Sequence, residues 1–281
     1  MTVYLNCKMQ KTIYCIFFSL IMMTSAYSQQ TKIDYGNNPS AGKYYNIRGI
    51  KMYCEIYGKG EPLLMIHGNS GSISSFEQTI PYFAKKYMVI VADSRSQGKT
   101  VDLRDSISFE MMADDFAVLL DTLHVKSAYV LGWSDGGINA LLMAIRHPAK
   151  VIKFAATGAN LTPDSTALIP SLWKDMEHEY NESVNKKFTT EKEKNHWKLF
   201  LLDYEQPHIA LAALHTIKCP ALIIGGDSDL IPVPHTKLIA ANIPNSNLWI
   251  VPHSGHATLK EHKDEFNKRV DDFFSNAFTK Q

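Results

Sequence analysis

Short, mostly apolar runs alternate along this chain with segments whose apolar positions recur every three or four residues. The runs are residues 63–66, 88–92, 128–131, 151–156, 220–226 and 248–251. They are too short for helices and show no polar alternation, the pattern of strands buried on both faces of a parallel sheet. Between them, residues 73–86, 108–123, the segment after Ser134 up to His147-Pro148, 235–242 and 260–274 have helical spacing. Ser108 is placed to cap its helix, with Glu110, Asp114 and Asp115 early in it. Ahead of these lie residues 44–48 and 51–57, two strand-like runs around a Gly49 turn, the pattern of a hairpin. The alternation predicts an α/β fold with a mostly parallel, doubly wound sheet.

The pattern changes between residues 161 and 213. No strand-like run occurs there. Helical spacing shows at Leu168, Leu172 and Met176, and again at Trp197, Phe200 and Leu201. This reads as a helical lid inserted into the sheet domain, with the charged run 186–198 as a solvated helix face. The core is then 44–160 and 214–281. Residues 29–43, with Gly36, Asn37, Asn38 and Gly42 around Pro39, read as a flexible lead-in.

Residues 12–23 form a short apolar stretch behind Lys8 and Lys11, and Ala26-Tyr27-Ser28 follows as a small-x-small site. That predicts a secretory leader over residues 1–28, cleaved before Gln29, with an uncleaved anchor as the alternative and Met1 or Met9 as the start. It implies an exported protein, periplasmic or extracellular, without a stable membrane span once the leader is removed. The cut leaves 27 basic against 28 acidic side chains, and Cys54 and Cys219 as isolated thiols. Neither a nucleic-acid partner nor a disulfide framework fits that balance. No metal or other cofactor is implied, because no C-x-x-C or helical H-x-x-x-H pair is present.

Four loops at carboxyl ends of predicted strands carry chemistry. Gly132-Trp133-Ser134-Asp135-Gly136 is G-x-S-x-G between a strand and a helix, the context of a nucleophile elbow with Ser134 exposed at its tip. His67-Gly68-Asn69-Ser70-Gly71 closes another strand. Its Asn69 N–H, with the N–H of Asp135, is the candidate oxyanion hole. A serine needs a base, and the base needs an orienting acid. Asp229 is the preferred acid; Asp227 shares its loop but abuts the strand and suits bracing the turn. His256 is the preferred base, ahead of the nearby His253, while His67 is expected to bond backbone. The Asp135 side chain has two readings: it faces the pocket and attracts a substrate ammonium, or it caps the elbow helix.

The motifs at 67–71, 93–100, 132–137, 225–232 and 253–259 resemble the α/β-hydrolase superfamily across residues 44–276. The stretch Val130-Leu131-Gly132-Trp133-Ser134-Asp135-Gly136-Gly137 and the closing helix are similar to the biphenyl hydrolase-like group, which includes valacyclovir hydrolase. The resemblance implies a serine hydrolase with Ser134, Asp229 and His256 as its triad, acting on a small-molecule ester. Ser96 departs from the superfamily pattern at a glycine position. Hydrolysis of C–C, lactone or thioester bonds, and a non-catalytic ligand-binding role, stay open as alternatives.

Overall fold

The computed structural model describes residues 33–280; the expected leader lies outside the described residues. Residues 35–280 form one compact unit around an eight-stranded sheet. Its strands are β1 (Gly42–Ile47), β2 (Ile50–Tyr57), β3 (Glu61–Ile66), β4 (Tyr87–Ala92), β5 (Ala128–Trp133), β6 (Val151–Thr157), β7 (Ala221–Gly226) and β8 (Ser246–Val251). They lie in the order β1-β2-β4-β3-β5-β6-β7-β8. The β1–β2 hairpin pairs antiparallel and joins β4 antiparallel; from β4 to β8 every pairing is parallel. Arg48 and Gly49 both have positive φ (43° and 88°), as a two-residue hairpin turn that follows the strand twist requires.

The apolar runs become the central strands because both of their faces are covered. In β3, Leu64 and Ile66 pack into one core while Leu63 and Met65 pack into the other; β4 divides Ile90 and Ala92 from Val89 and Val91 in the same way. One core lies under the helices Phe109–Thr122 and Asp135–Arg146, the other under the closing helix Lys263–Ser275. In chain order the helices are α1 (Ile80–Phe83), α2 (Phe109–Thr122), α3 (Asp135–Arg146), α4 (Pro170–Ser183), α5 (Glu191–Glu205), α6 (Leu211–Leu214), α7 (Val233–Asn242), α8 (Thr258–Glu261) and α9 (Lys263–Ser275). Ser108 does cap α2, its hydroxyl accepting from the Met111 N–H at 3.1 Å.

Three expectations change. Residues 73–86 are not one helix but a 3-10 turn (Ile73–Phe76) and the single-turn α1, because Pro81 lacks the N–H needed for a continuous ladder and so starts a new turn. The closing helix is broken at His262 into α8 and α9. Lys198, placed by sequence on a solvated face, is buried; its ammonium donates to the carbonyls of Asp102 (2.6 Å) and Arg104 (3.0 Å) and ties α5 to the loop after β4. In that loop Arg95 is fully buried, with Asp115 bound bidentately at 2.6 and 2.7 Å and Asp102 at 2.6 Å. Within the expected lead-in, the N–H groups of Gly36 and Asn38 both donate to the Glu55 carboxylate at 2.9 Å. Cys54 and Cys219 are free thiols.

Candidate active site

The carboxyl ends of β3, β5, β7 and β8 converge on one cleft roofed by the lid helices. At the end of β5 the chain turns so sharply into α3 that Ser134 takes φ 58° and ψ −121°, a conformation side-chain-bearing residues rarely adopt. Small neighbours make the turn possible. A Cβ at Gly132 would sit 1.9 Å from the Gly136 carbonyl oxygen, and one at Gly136 would sit 1.8 Å from the Ile66 carbonyl oxygen. The backbone is pinned by the Ser134 N–H donating to the Thr157 carbonyl at 2.8 Å. Asp135 opens the helix, so its N–H lies outside the intrahelical ladder.

Ser134 Oγ lies 2.9 Å from His256 Nε2, and His256 Nδ1 lies 2.6 Å from Asp229 Oδ1. The Asp229 carboxylate is fully enclosed and also accepts from the N–H groups of Ile231 (3.1 Å) and Gly226 (3.3 Å). Those bonds fix the carboxylate, which in turn fixes the imidazole with its proton on Nδ1 and a free lone pair facing the serine. Ser134, Asp229 and His256 are therefore one hydrogen-bonded line, drawn from three loops.

The rival residues lie elsewhere. Asp227 accepts from the N–H groups of His253 (2.8 Å) and Ser254 (3.2 Å), and these bonds hold its carboxyl below the usual range. It braces the loop that carries His256. The His253 side chain is exposed. His67 is fully buried, donates through Nδ1 to the Gly68 carbonyl at 2.8 Å and accepts the Ser94 N–H on Nε2 at 2.9 Å. Burial pushes its pKa down to about 4, so it is a neutral brace under the Gly68–Asn69 loop. That loop passes directly over the nucleophile: a Cβ at Gly68 would stand 2.9 Å from Ser134 Cβ. Ser96, the residue at the superfamily's glycine position, has φ 65°.

A cavity of about 210 Å³ opens from Ser134 and His256. The lid supplies its apolar wall through Leu168, Leu172 and Met176, the three residues whose helical spacing marked the lid in sequence. The Trp197–Phe200 pair faces elsewhere, in a stack with Tyr180 and Tyr204 that joins α5 to α4. Asp135 also lines the cavity. It is 3% exposed, and its Oδ2 has no hydrogen-bond donor. Of its two readings, the pocket-facing one describes where the carboxyl lies, although it stays in the first turn of α3.

Sequence reasoning passed over three residues here. Asp203, on α5, brings a second carboxyl to the same cavity; it lies four residues after buried Leu199 and next to buried Leu202, a spacing that marks the inward face of the helix. Trp133 donates from Nε1 to the His256 carbonyl at 2.9 Å. Glu261 accepts from Ser254 Oγ (2.8 Å) and from the Gly255 N–H (2.6 Å), holding the His256 loop from the other side. Neither of the last two carries a sequence signal.

Residues 61–192 match the family model of the alpha/beta hydrolase fold. The serine hydrolase BPHL of Mus musculus is 28% identical over 244 residues, covering 81% of this chain and 84% of that protein. The 2-hydroxy-6-oxo-6-phenylhexa-2,4-dienoate hydrolase of Burkholderia cepacia is 25% identical over 268 residues, covering 82% and 93%. Among solved structures, the enol-lactonase from Burkholderia xenovorans superposes with a TM-score of 0.69 at 19% identity, over 83% of this chain and all of that one. The chain has the α/β-hydrolase fold, and with the site geometry these likenesses make it a hydrolase similar to the biphenyl hydrolase-like serine hydrolases.

Proposed function

We propose that this protein is a serine esterase that cleaves small carboxylic esters, with a preference for those bearing an ammonium group α to the carbonyl. The observation that carries the proposal is the line from Asp229 through His256 to Ser134, opening on a cavity whose wall holds Asp135. Ser134 Oγ attacks the ester carbonyl as His256 Nε2 takes its proton. The N–H groups of Asn69 and Asp135 receive the oxyanion. The alcohol leaves with the proton from His256, and the acyl group stays on Ser134. Water then gives a proton to the same nitrogen, attacks the acyl carbon, and releases the acid and the free serine. No step calls for a metal or another cofactor.

The cavity's charge favours the ester reading over the dienoate chemistry named for one relative. A dienoate is an anion. The described residues lining this cavity include Asp135 and Asp203 and no Lys or Arg, so an acidic substrate meets carboxyls with no compensating cation. An ammonium is drawn in. At about 4 Å and an effective dielectric near 20, a charge pair is worth on the order of 4 kcal/mol before desolvation, and each ~1.4 kcal/mol that survives is tenfold in preference. The test compares kcat/KM for an α-amino ester and its des-amino analogue in the native protein and in Asp135→Asn. A preference that collapses in the variant supports the reading; an unchanged ratio refutes it. The leader over residues 1–28 supports placing this activity outside the cytoplasm.

A further inference from the structure

Asp135 does not stand alone. Asp203, in the last turn of the lid helix α5, brings its carboxyl against that of Asp135, and the Asn69 side-chain amide lies beside both. The Asn69 Nδ2 also donates to the Leu199 carbonyl at 3.1 Å, which places the amide between the core loop and the lid. Two carboxyls facing each other in a largely enclosed pocket, Asp135 buried and Asp203 half-buried, do not both ionise readily without a counter-charge. Asp135 Oδ2 is buried with no donor, which leaves the arrangement incomplete until a proton or a cation sits between the two acids.

We propose that Asp203 completes, with Asp135, a two-carboxyl receptor for the substrate ammonium, half of it on the sheet domain and half on the lid. This rests on the amine-binding reading of Asp135 and adds a specificity-determining residue to it. The receptor also binds the lid to the core, because the cation is held by α3 and α5 together.

The empty receptor holds a proton in the place the ammonium takes. Burial raises both carboxyls; Asp135 is pushed further up by Asp203, and Asp203 is pushed up to about 6. The titratable groups facing Asp203 are Asp135 on α3 and His256 on the loop after β8; Asp135 faces Asp203, with the neutral Asn69 beside it. As pH rises from about 5 to about 7, Asp203 gives up its proton while Asp135, held further up, keeps one, so the pair gains a single negative charge while an α-amino group, with a pKa near 7.7–8.0, stays charged. The preference for an amino ester over its des-amino analogue therefore rises across that interval. Effects on the triad that are common to both esters divide out of the ratio.

The experiment measures the ratio of kcat/KM for the two esters between about pH 5 and pH 7 in the native protein, Asp203→Asn and Asp135→Asn. The expected result is a ratio that rises with pH in the native protein, and that is roughly tenfold lower and flat in Asp203→Asn, the scale of one lost hydrogen bond to a charged group. A purely structural role for Asp203 lowers both turnovers together and leaves the ratio at its native value; that result overturns the inference. A ratio that falls in Asp135→Asn but not in Asp203→Asn overturns the inference and leaves the Asp135 reading standing. A native protein with no amine preference removes both. If Asp203→Asn does not fold, calorimetry of the α-amino ester on the otherwise native Ser134→Ala protein, in two buffers of different ionisation heat, decides the matter. Proton release near pH 6 supports the shared-proton receptor, and its absence overturns it.

Discussion

Replacing Glu261 by Ala removes one of the two carboxylates that hold the His256 loop. Glu261 Oε2 accepts from Ser254 Oγ at 2.8 Å and the Gly255 N–H at 2.6 Å, while Asp227 grips the same loop through the His253 and Ser254 N–H groups. Hydrogen bonds to a buried charged group are worth ~1.5–3 kcal/mol each, but Glu261 is exposed and water competes for it. A total loss of about 1 kcal/mol in stability is expected. The catalytic effect should be larger. The 2.9 Å contact from His256 Nε2 to Ser134 Oγ depends on where residue 256 sits, and a shift of about 1 Å costs on the order of a hundredfold. With Asp227 still in place the shift is partial, and a fall in kcat of roughly tenfold follows, with KM little changed because Glu261 does not line the pocket. Glu261→Gln keeps an acceptor and should retain most of the activity. The assay is steady-state hydrolysis of a simple aryl ester, with a thermal melt on each protein. A native kcat in Glu261→Ala would refute the claim that this carboxylate positions the base.

Asp203 also makes a stability prediction. Its folded-state pKa lies above its unfolded value, so the protonated form stabilises the fold at low pH, and that contribution is lost as pH rises from about 4 through about 6. Relative to native protein, Asp203→Asn should gain on the order of 1–3 kcal/mol in urea denaturation above pH 6 and nothing near pH 4; an equal effect at both pH values contradicts this. For the leader, mass spectrometry of the protein from its native host should find an N-terminus near Gln29 in an exported fraction, and an intact Met1 or Met9 in the cytoplasm would contradict it.

Much of the core was legible in sequence because buried parallel strands write themselves as unbroken apolar runs. The Leu63-Leu64-Met65-Ile66 run divides its side chains between two cores, so no polar residue can interrupt it. The elbow was legible for a related reason: Gly132 and Gly136 are forced by contacts under 2 Å, and their spacing brackets Ser134. Asp229 and His256 could be chosen because each sits on a loop at a strand's carboxyl end. Much of what escaped depends on the lid's docking. Nothing local distinguishes Lys198, buried against two carbonyls, from the solvated lysines before it. Asp203 likewise acquires its partner only when α5 settles over α3. The 73–86 segment reads as one helix in sequence because its apolar spacing masks the break at Pro81.

The measurement that tests the central claim most directly is turnover of a simple aryl ester by the native protein, Ser134→Ala, His256→Ala and their double variant. Residues that act as one unit lose activity together. The account predicts a loss of roughly 10⁴-fold or more in each single variant, little further loss in the double, and near-native rates in His253→Ala. Turnover retained in Ser134→Ala, or His253→Ala proving the more damaging histidine change, would contradict it.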